Sequence, residues 1–243
     1  MKVNLNRIES VDRCRGVIAD VKSDDMANGL GVRVTVFTGY CPLNCYNCFN
    51  TKIQSYNYGL EEAEKNNSKF PMFYSKKVED YVIDLLKNDY ITGLTLLGGE
   101  PFLNTKSFLP LCRRFRKGFG NTKNIWSWTG FEWEELQKAV KLDFTLSRDQ
   151  REMLNLIDVL IDGRYVDSIR NLDKTRNKHD IHFRGSSNQR IIDVKKSLKE
   201  NKIVELTDFY EGEKIVNRAG DFKKLTGKES VEELIKKGYW QTS

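Results

Sequence analysis

The chain has 243 residues, 39% of them hydrophobic and 30% charged, enough for one large domain or a domain with an appendage. Its 40 basic and 34 acidic residues leave a net charge of +6, too dispersed to argue for nucleic-acid binding. Met1 to Asp20 has no apolar signal segment, no run approaches the roughly 18 apolar residues of a membrane span, and five cysteines with three clustered do not make a disulfide framework, so a reduced, cytoplasmic protein is expected.

Along the chain, Arg15 to Val21 alternates weakly and reads as an edge strand or hairpin arm. Asn28-Gly29-Leu30-Gly31 is a turn signal, and Val32 to Thr38, rich in β-branched residues, is the first central strand. Directly after it comes Cys41-Pro42-Leu43-Asn44-Cys45-Tyr46-Asn47-Cys48-Phe49. Three thiolates on one loop can hold three corners of a cubane iron–sulfur cluster and leave one iron open to a substrate. A structural zinc, which normally takes four protein ligands, is the alternative, with His179 or His182 completing a Cys3His set.

A polar stretch from Gln54 to Phe73 follows, its Glu61 to Asn67 part solvated and partly helical. Ser75 caps a helix running to about Asn88, with Val78, Tyr81, Val82, Leu85 and Leu86 on one face. Leu94 to Leu97 is a short buried strand broken by Gly98-Gly99. Asn104 caps the next helix, whose inner face carries Phe108, Leu111, Cys112 and Phe115, and the basic cluster Arg113 to Lys117 complements the dipole at its end. Ile125 to Trp128 is a strand, followed by a helix with Leu136, Ala139 and Val140. A further helix at about Arg148 to Asn155 leads into a strand at Ile157 to Ile161. Phe183 to Ser187 is a turn, Ile191 to Lys199 is expected to be helical, and Ile203 to Leu206 is a last strand. In the tail, Ser230 and Glu233 form a capping box before the stripe Val231, Leu234 and Ile235. Cys14, far from the triplet, reads as a free thiol.

Strands alternating with helices argue for parallel βαβ units. Cys41, Gly98-Gly99-Glu100, Thr129-Gly130 and Asp162-Gly163 each follow a predicted strand. In a (β/α) barrel those ends share one mouth, where active sites are built. The strands are too few for eightfold closure, so an α/β fold of the open, partial-barrel kind is expected.

Cys-x3-Cys-x2-Cys followed by Phe49 resembles the radical S-adenosylmethionine superfamily, and Gly98-Gly99-Glu100 resembles its motif for the methionine amino group. Within it the chain is similar to the activating enzymes of anaerobic ribonucleoside-triphosphate reductase. That likeness rests on Trp126 to Gly130, Asp158 to Arg164 and Phe183 to Arg190, and it covers about residues 25 to 200. The resemblance implies a radical S-adenosylmethionine partial barrel over residues 1–206 and a charged extension with one short helix over residues 207–243. It implies one 4Fe-4S cluster on Cys41, Cys45 and Cys48, reduced by an external donor such as flavodoxin. S-adenosylmethionine would be bound by Asn47, Cys48, Phe49, Gly98, Gly99 and Glu100, with Thr129, Gly130 and Asp162 as further candidates at the mouth. Cleavage of S-adenosylmethionine would give a 5′-deoxyadenosyl radical that takes hydrogen from a glycine of the large reductase subunit. A radical enzyme acting on a small molecule, such as a modified-base precursor, and a zinc-stabilised interaction module are the competing functions. The chain departs from the family's pattern at Leu30 (usually proline), at Tyr40 between Gly39 and Cys41, in the long stretch from Tyr56 to Phe73, and in the tail from about Thr207.

Overall fold

Short runs of β-branched residues build the centre of the fold, and the glycines that end them set its working edge. In a computed structural model of the protein, the described residues are 16–55, 57–65, 69–138, 144–170 and 183–206. In chain order the strands are β1 (Val17–Asp25), β2 (Val32–Thr38), β3 (Met72–Phe73), β4 (Ile91–Gly98), β5 (Asn124–Trp128), β6 (Val159–Asp162) and β7 (Arg190–Asp193). The helices are α1 (Leu60–Lys65), α2 (Lys76–Leu85), α3 (Thr105–Phe119), α4 (Trp133–Lys138), α5 (Phe144–Leu156) and α6 (Val194–Glu200).

The strands form a single open sheet in the order β3-β1-β2-β4-β5-β6-β7. Its centre, β2-β4-β5-β6, is parallel, as the strand–helix alternation predicts. The flanks are antiparallel: β1 with β2 and β3 on one side, β7 with β6 on the other. The register aligns Thr38 with Gly98, Leu96 with Ser127 and Trp128 with Ile161, so the carboxyl ends of the parallel strands lie along one edge.

The two sheet faces are filled differently. Val32, Val34, Val36, Leu94, Leu96, Ile125 and Leu160 pack against the helices, meeting Val78, Phe108, Leu111, Cys112, Phe115 and Met153 in the main core. Cys112 is thus a core residue on the predicted face of α3. The other face holds a smaller cluster of Leu30, Trp126, Val159, Ile161 and Ile191, with Trp128, Phe183 and Leu206 against it. Leu30 is an apolar member of that cluster, while Gly29 and Gly31 on either side take φ of 118° and 79°.

Arg33 lies on this second face and is fully buried, a placement its sequence context did not reveal. Its guanidinium donates to Thr95 Oγ1, the Leu30 and Leu94 carbonyls, and both oxygens of Asn124, and it stacks 5.3 Å from the Trp126 ring. Burial lowers its pKa to about 9, against the smaller opposing pull of the Asp158 and Asp25 charges. Removing one partner from so complete a set would leave a buried charge short of a bond, at a cost of roughly 1–3 kcal/mol.

Several expectations change in detail. Ser75 caps α2, accepting from Val78 N, but the helix ends at Leu85. Asn104 stands at the N-cap of α3, its carbonyl accepting from Ser107 N and Phe108 N, but its side chain makes no cap bond and its amide donates to the Gly39 and Glu100 carbonyls instead. Ile191 to Lys199 is not one helix. Ile191 and Ile192 pair with Ile161 and Leu160 in β7, and only from Val194 does the chain turn helical, capped by Asp193 accepting from Lys196 N. Pairing with the buried β6 outweighs local helical patterning. Ile203 to Leu206 makes a single bridge, Ile192 to Glu205, rather than a strand. β1 is flanked on both sides and is not the sheet's edge. Among the described residues no helix is long and apolar enough to cross a membrane. Cys14, Arg15, Tyr56, Asn66, Asn67, Ala139, Val140, His179, His182 and the whole of residues 207–243, with the Ser230–Glu233 capping box, lie outside the described residues.

Candidate iron–sulfur site

The cysteine loop leaves β2 at Gly39 and is pinned at its base. Tyr40 N donates to the Ile53 carbonyl and Cys41 N to the Gln54 carbonyl, closing the loop on itself. Tyr40 adopts φ of 67°, and its carbonyl accepts from Glu100 N, while Gly99 N donates to the Thr38 carbonyl. The extra residue before Cys41 is therefore the joint between the loop and the end of β4. Gly99 is required there, since a Cβ would sit 2.2 Å from the Tyr40 carbonyl oxygen. Gly98, at φ of 106°, presents its carbonyl to Asn50 Nδ2 at 3.0 Å.

Asn44 and Asn47 take positive φ, 47° and 51°, and turn the chain between the cysteines; asparagine tolerates that region better than most residues. Cys41, Cys45 and Cys48 are free and partly buried. Cys48 Sγ accepts from Asn50 N at 3.4 Å, and the backbone of Leu43 and of Tyr165 pulls the Cys41 and Cys45 thiols down against the larger push of burial. Burial, then the Glu100 charge and the neighbouring sulfurs, push the Cys41 thiol up; burial and Cys48 do the same at Cys45. Among the described residues no three His, Cys, Asp or Glu side chains converge as the ligand set of a single metal ion.

Glu100 is 1% exposed and ties two strand ends together. Its Oε1 accepts from Phe102 N and Thr129 Oγ1, and its Oε2 from Gly130 N at 2.8 Å. Burial raises its pKa to about 7 against the pull of those three bonds. Thr129 also accepts from Phe131 N and so shapes the turn after β5. Gly130 seats the cysteine loop: a Cβ there would lie 2.2 Å from Leu43 Cδ1. Asp162 is likewise buried and engaged, accepting from Trp133 N and from Arg190, which also reaches Glu134.

The strap after β6 lies against the loop from the opposite side. Asn47 Nδ2 donates to Asp167 Oδ2 at 3.1 Å, and Tyr165 Oη to Asp167 Oδ1 at 2.7 Å. The Phe49 ring is 64% exposed, with Tyr165 5.2 Å away and the Arg170 guanidinium 4.8 Å over its face. The segment Phe183 to Arg190 holds the strap from behind. Gln189 Nε2 donates to the Gly163 carbonyl, Asn188 Nδ2 to the Arg164 carbonyl, and Val166 N to Ser186 Oγ.

The structure thus gathers every predicted site residue at one edge, but divides them by surroundings. The three cysteines, Asn47 and Phe49 lie on the loop itself, Gly98 and Gly99 beneath it, and Glu100, Thr129, Gly130 and Asp162 in the hydrogen-bonded floor. Sequence reasoning singled out Tyr40 as an inserted residue without giving it a role, and did not name Asn50, Arg164 or Tyr165 as site residues. Position was the available signal for Arg164 and Tyr165, which directly follow the strand-end pair Asp162-Gly163; an amide that donates to sulfur carries none.

A family model described as a 4Fe-4S single cluster domain matches residues 27–192. The anaerobic ribonucleoside-triphosphate reductase-activating protein of Haemophilus influenzae is 33% identical over 169 residues, covering 68% of this chain and 90% of that protein. The protein of that name from Escherichia coli K12 is 31% identical with the same coverage. Its counterpart in Enterobacteria phage T4 is 32% identical over 69% of this chain and 87% of its own length.

Proposed function

We propose, from the premise that the chain belongs to the 4Fe-4S single-cluster family that includes the anaerobic ribonucleoside-triphosphate reductase-activating proteins, that it activates such a reductase from the cytoplasm by radical S-adenosylmethionine chemistry. The observation that carries the reading is the loop that holds three free, partly buried cysteines at the end of β2, pinned on itself and to the end of β4. Thiolates are the ligands of such clusters, and hydrogen bonds to the sulfurs together with burial set the potential. Three sulfurs on one short loop suit a cluster with one iron left open, and the chain's own residues fit that group. When bound and reduced, it would supply the one electron that cleaves S-adenosylmethionine to methionine and a 5′-deoxyadenosyl radical, which would take hydrogen from a glycine of the large reductase subunit.

In this reading Cys41, Cys45 and Cys48 hold the irons, and Asn50 N donates to the Cys48 sulfur. Gly98 and Gly99 would let S-adenosylmethionine approach the backbone, and Asn47 and Phe49 would contact it from the loop. Glu100, Thr129 and Gly130 fix the floor on which the loop rests, and Asp162 with Arg190 fixes the strap. The parallel centre of the open sheet, with its carboxyl ends at one edge, supports a partial barrel of the radical S-adenosylmethionine type. The reaction is an oxidoreduction whose electron comes from a donor such as flavodoxin.

Anaerobic reconstitution followed by chemical reduction with S-adenosylmethionine tests this. Wild type should hold about four irons per chain and release 5′-deoxyadenosine. Cys45→Ala should lose the release while keeping its far-ultraviolet circular dichroism. Retained release in Cys45→Ala, or none in wild type, refutes the assignment.

A further inference from the structure

Around the cysteine loop, donors and acceptors are closely matched. The Tyr40 carbonyl accepts from Glu100 N, the Gly39 carbonyl from Asn104 Nδ2 and the Gly98 carbonyl from Asn50 Nδ2. The Cys48 carbonyl takes the Thr51 hydroxyl, the Cys48 sulfur takes Asn50 N, and Glu100 is met by three donors. Gln54 breaks this pattern. Its Nε2 is closed off from solvent, yet among the described residues it has no hydrogen-bond partner. Buried polar atoms in a folded chain are nearly all paired, and an amide donor left without an acceptor is costly. Such a donor points to an acceptor that the chain itself does not supply.

The place of Gln54 in the loop says which acceptor that is. Its carbonyl accepts from Cys41 N at 3.1 Å, next to the bond from Tyr40 N to the Ile53 carbonyl, and its own amide donates to the Thr51 carbonyl. The residue is therefore fixed against Cys41, whose thiol burial pushes well up. Gln54 as a whole is only half-buried, so the enclosure belongs to the amide end of the side chain. The group proposed for this loop is an anion rich in sulfur acceptors, and its charge grows by one on reduction.

We infer that Gln54 is a cluster-binding residue outside the cysteine triplet, whose Nε2 donates a hydrogen bond to a sulfur at the Cys41 corner and so raises the potential at which the cluster takes up its electron. This rests on the function proposed above and adds a residue that regulates its first step. A hydrogen-bond donor stabilises the more negative, reduced cluster more than the oxidised one. The Gln54 amide thereby widens the range of electron donors strong enough to reduce this chain.

The test is a redox titration of anaerobically reconstituted protein without S-adenosylmethionine, so that no turnover occurs. Wild type is compared with Gln54→Leu and Gln54→Met, both apolar and close to glutamine in size, and iron content reports loading. Each variant should be harder to reduce, its equilibrium constant for one-electron uptake falling about tenfold, which is about 59 mV. Electron–nuclear double resonance of the reduced cluster, in ordinary and heavy water, should show an exchangeable proton coupling in wild type that both variants lack. A role confined to packing the loop predicts the opposite shift, because water admitted to the cluster favours its more negative form and raises the potential. An unchanged or raised potential in a loaded variant, or an exchangeable coupling that survives the substitution, overturns this inference alone. Where one variant loads, that variant decides; if neither loads, Gln54 is a structural part of the loop and the inference falls. A wild type that takes up no cluster overturns the proposed function, and this inference with it.

Discussion

At Glu100, burial and hydrogen bonding pull in opposite directions, and burial is the larger, raising the pKa from 4.5 to about 7. The folded state therefore binds more protons than the unfolded chain between those values, and stability falls as pH rises through that window. The effect is worth about 3 kcal/mol, absent below the unfolded value and complete above the folded one. Urea unfolding of apo wild type and Glu100→Gln from pH 4 to 8 should show it as a difference. The stability of wild type relative to the variant should decline with rising pH; a flat or rising difference contradicts the account. The cysteines respond in the other direction with respect to loading. Burial holds the Cys41 and Cys45 thiols up, and only thiolates ligate, so metal uptake must displace protons. Iron content reached under fixed limiting iron should rise from pH 7 to pH 9, and a pH-independent plateau would argue against ligation by these thiols.

The loop–strand joints are the next scale, where two glycines separate two kinds of crowding. A Cβ on Gly99 meets the Tyr40 carbonyl, which is backbone, whereas one on Gly130 meets the tip of Leu43, which can be trimmed. Gly99→Ala should cost roughly 2 kcal/mol or more and should not be rescued by a neighbouring side-chain change. Gly130→Ala should be partly rescued by Leu43→Ala, with a coupling of about 1 kcal/mol in a urea-unfolding cycle. Strict additivity of that pair would mean that the loop does not rest on Gly130. The same joints show what could be read in advance. Val32 to Thr38 was legible as a strand because its β-branched run is bounded by Gly31 and Gly39, and it is found with those bounds. The common edge of strand ends was legible because strand and helix patterns alternate. Ile191-Ile192 was not, since two isoleucines before Val194 suit a helix as well as a strand until β6 supplies a partner. Arg33 was not either, because a charge within a strand normally faces water; here, besides the nearby Leu30 carbonyl, its acceptors come from β4 and Asn124, distant in sequence. Nor could Asn104 be separated from an ordinary helix cap without knowing that the Gly39 carbonyl lay beside it.

Over the whole molecule, one face of the sheet is spent on a helix-covered core and the other on a smaller cluster around Trp126, with the buried Arg33 toward the amino ends of the strands. The carboxyl ends are left for the cysteine loop, the Glu100 floor and the strap. This division places the partly buried cysteines at a rim where, among the described residues, Tyr46 and Phe49 stand 77% and 64% exposed. The central claim, radical transfer to a reductase glycine, is tested most directly by electron paramagnetic resonance. Reconstituted chain, S-adenosylmethionine and a reductant are mixed anaerobically with the large subunit of an anaerobic ribonucleoside-triphosphate reductase, and the frozen sample is examined. A doublet from a glycyl radical should appear on the large subunit, absent with Cys45→Ala and absent without S-adenosylmethionine. Release of 5′-deoxyadenosine with no radical on that subunit would contradict the account.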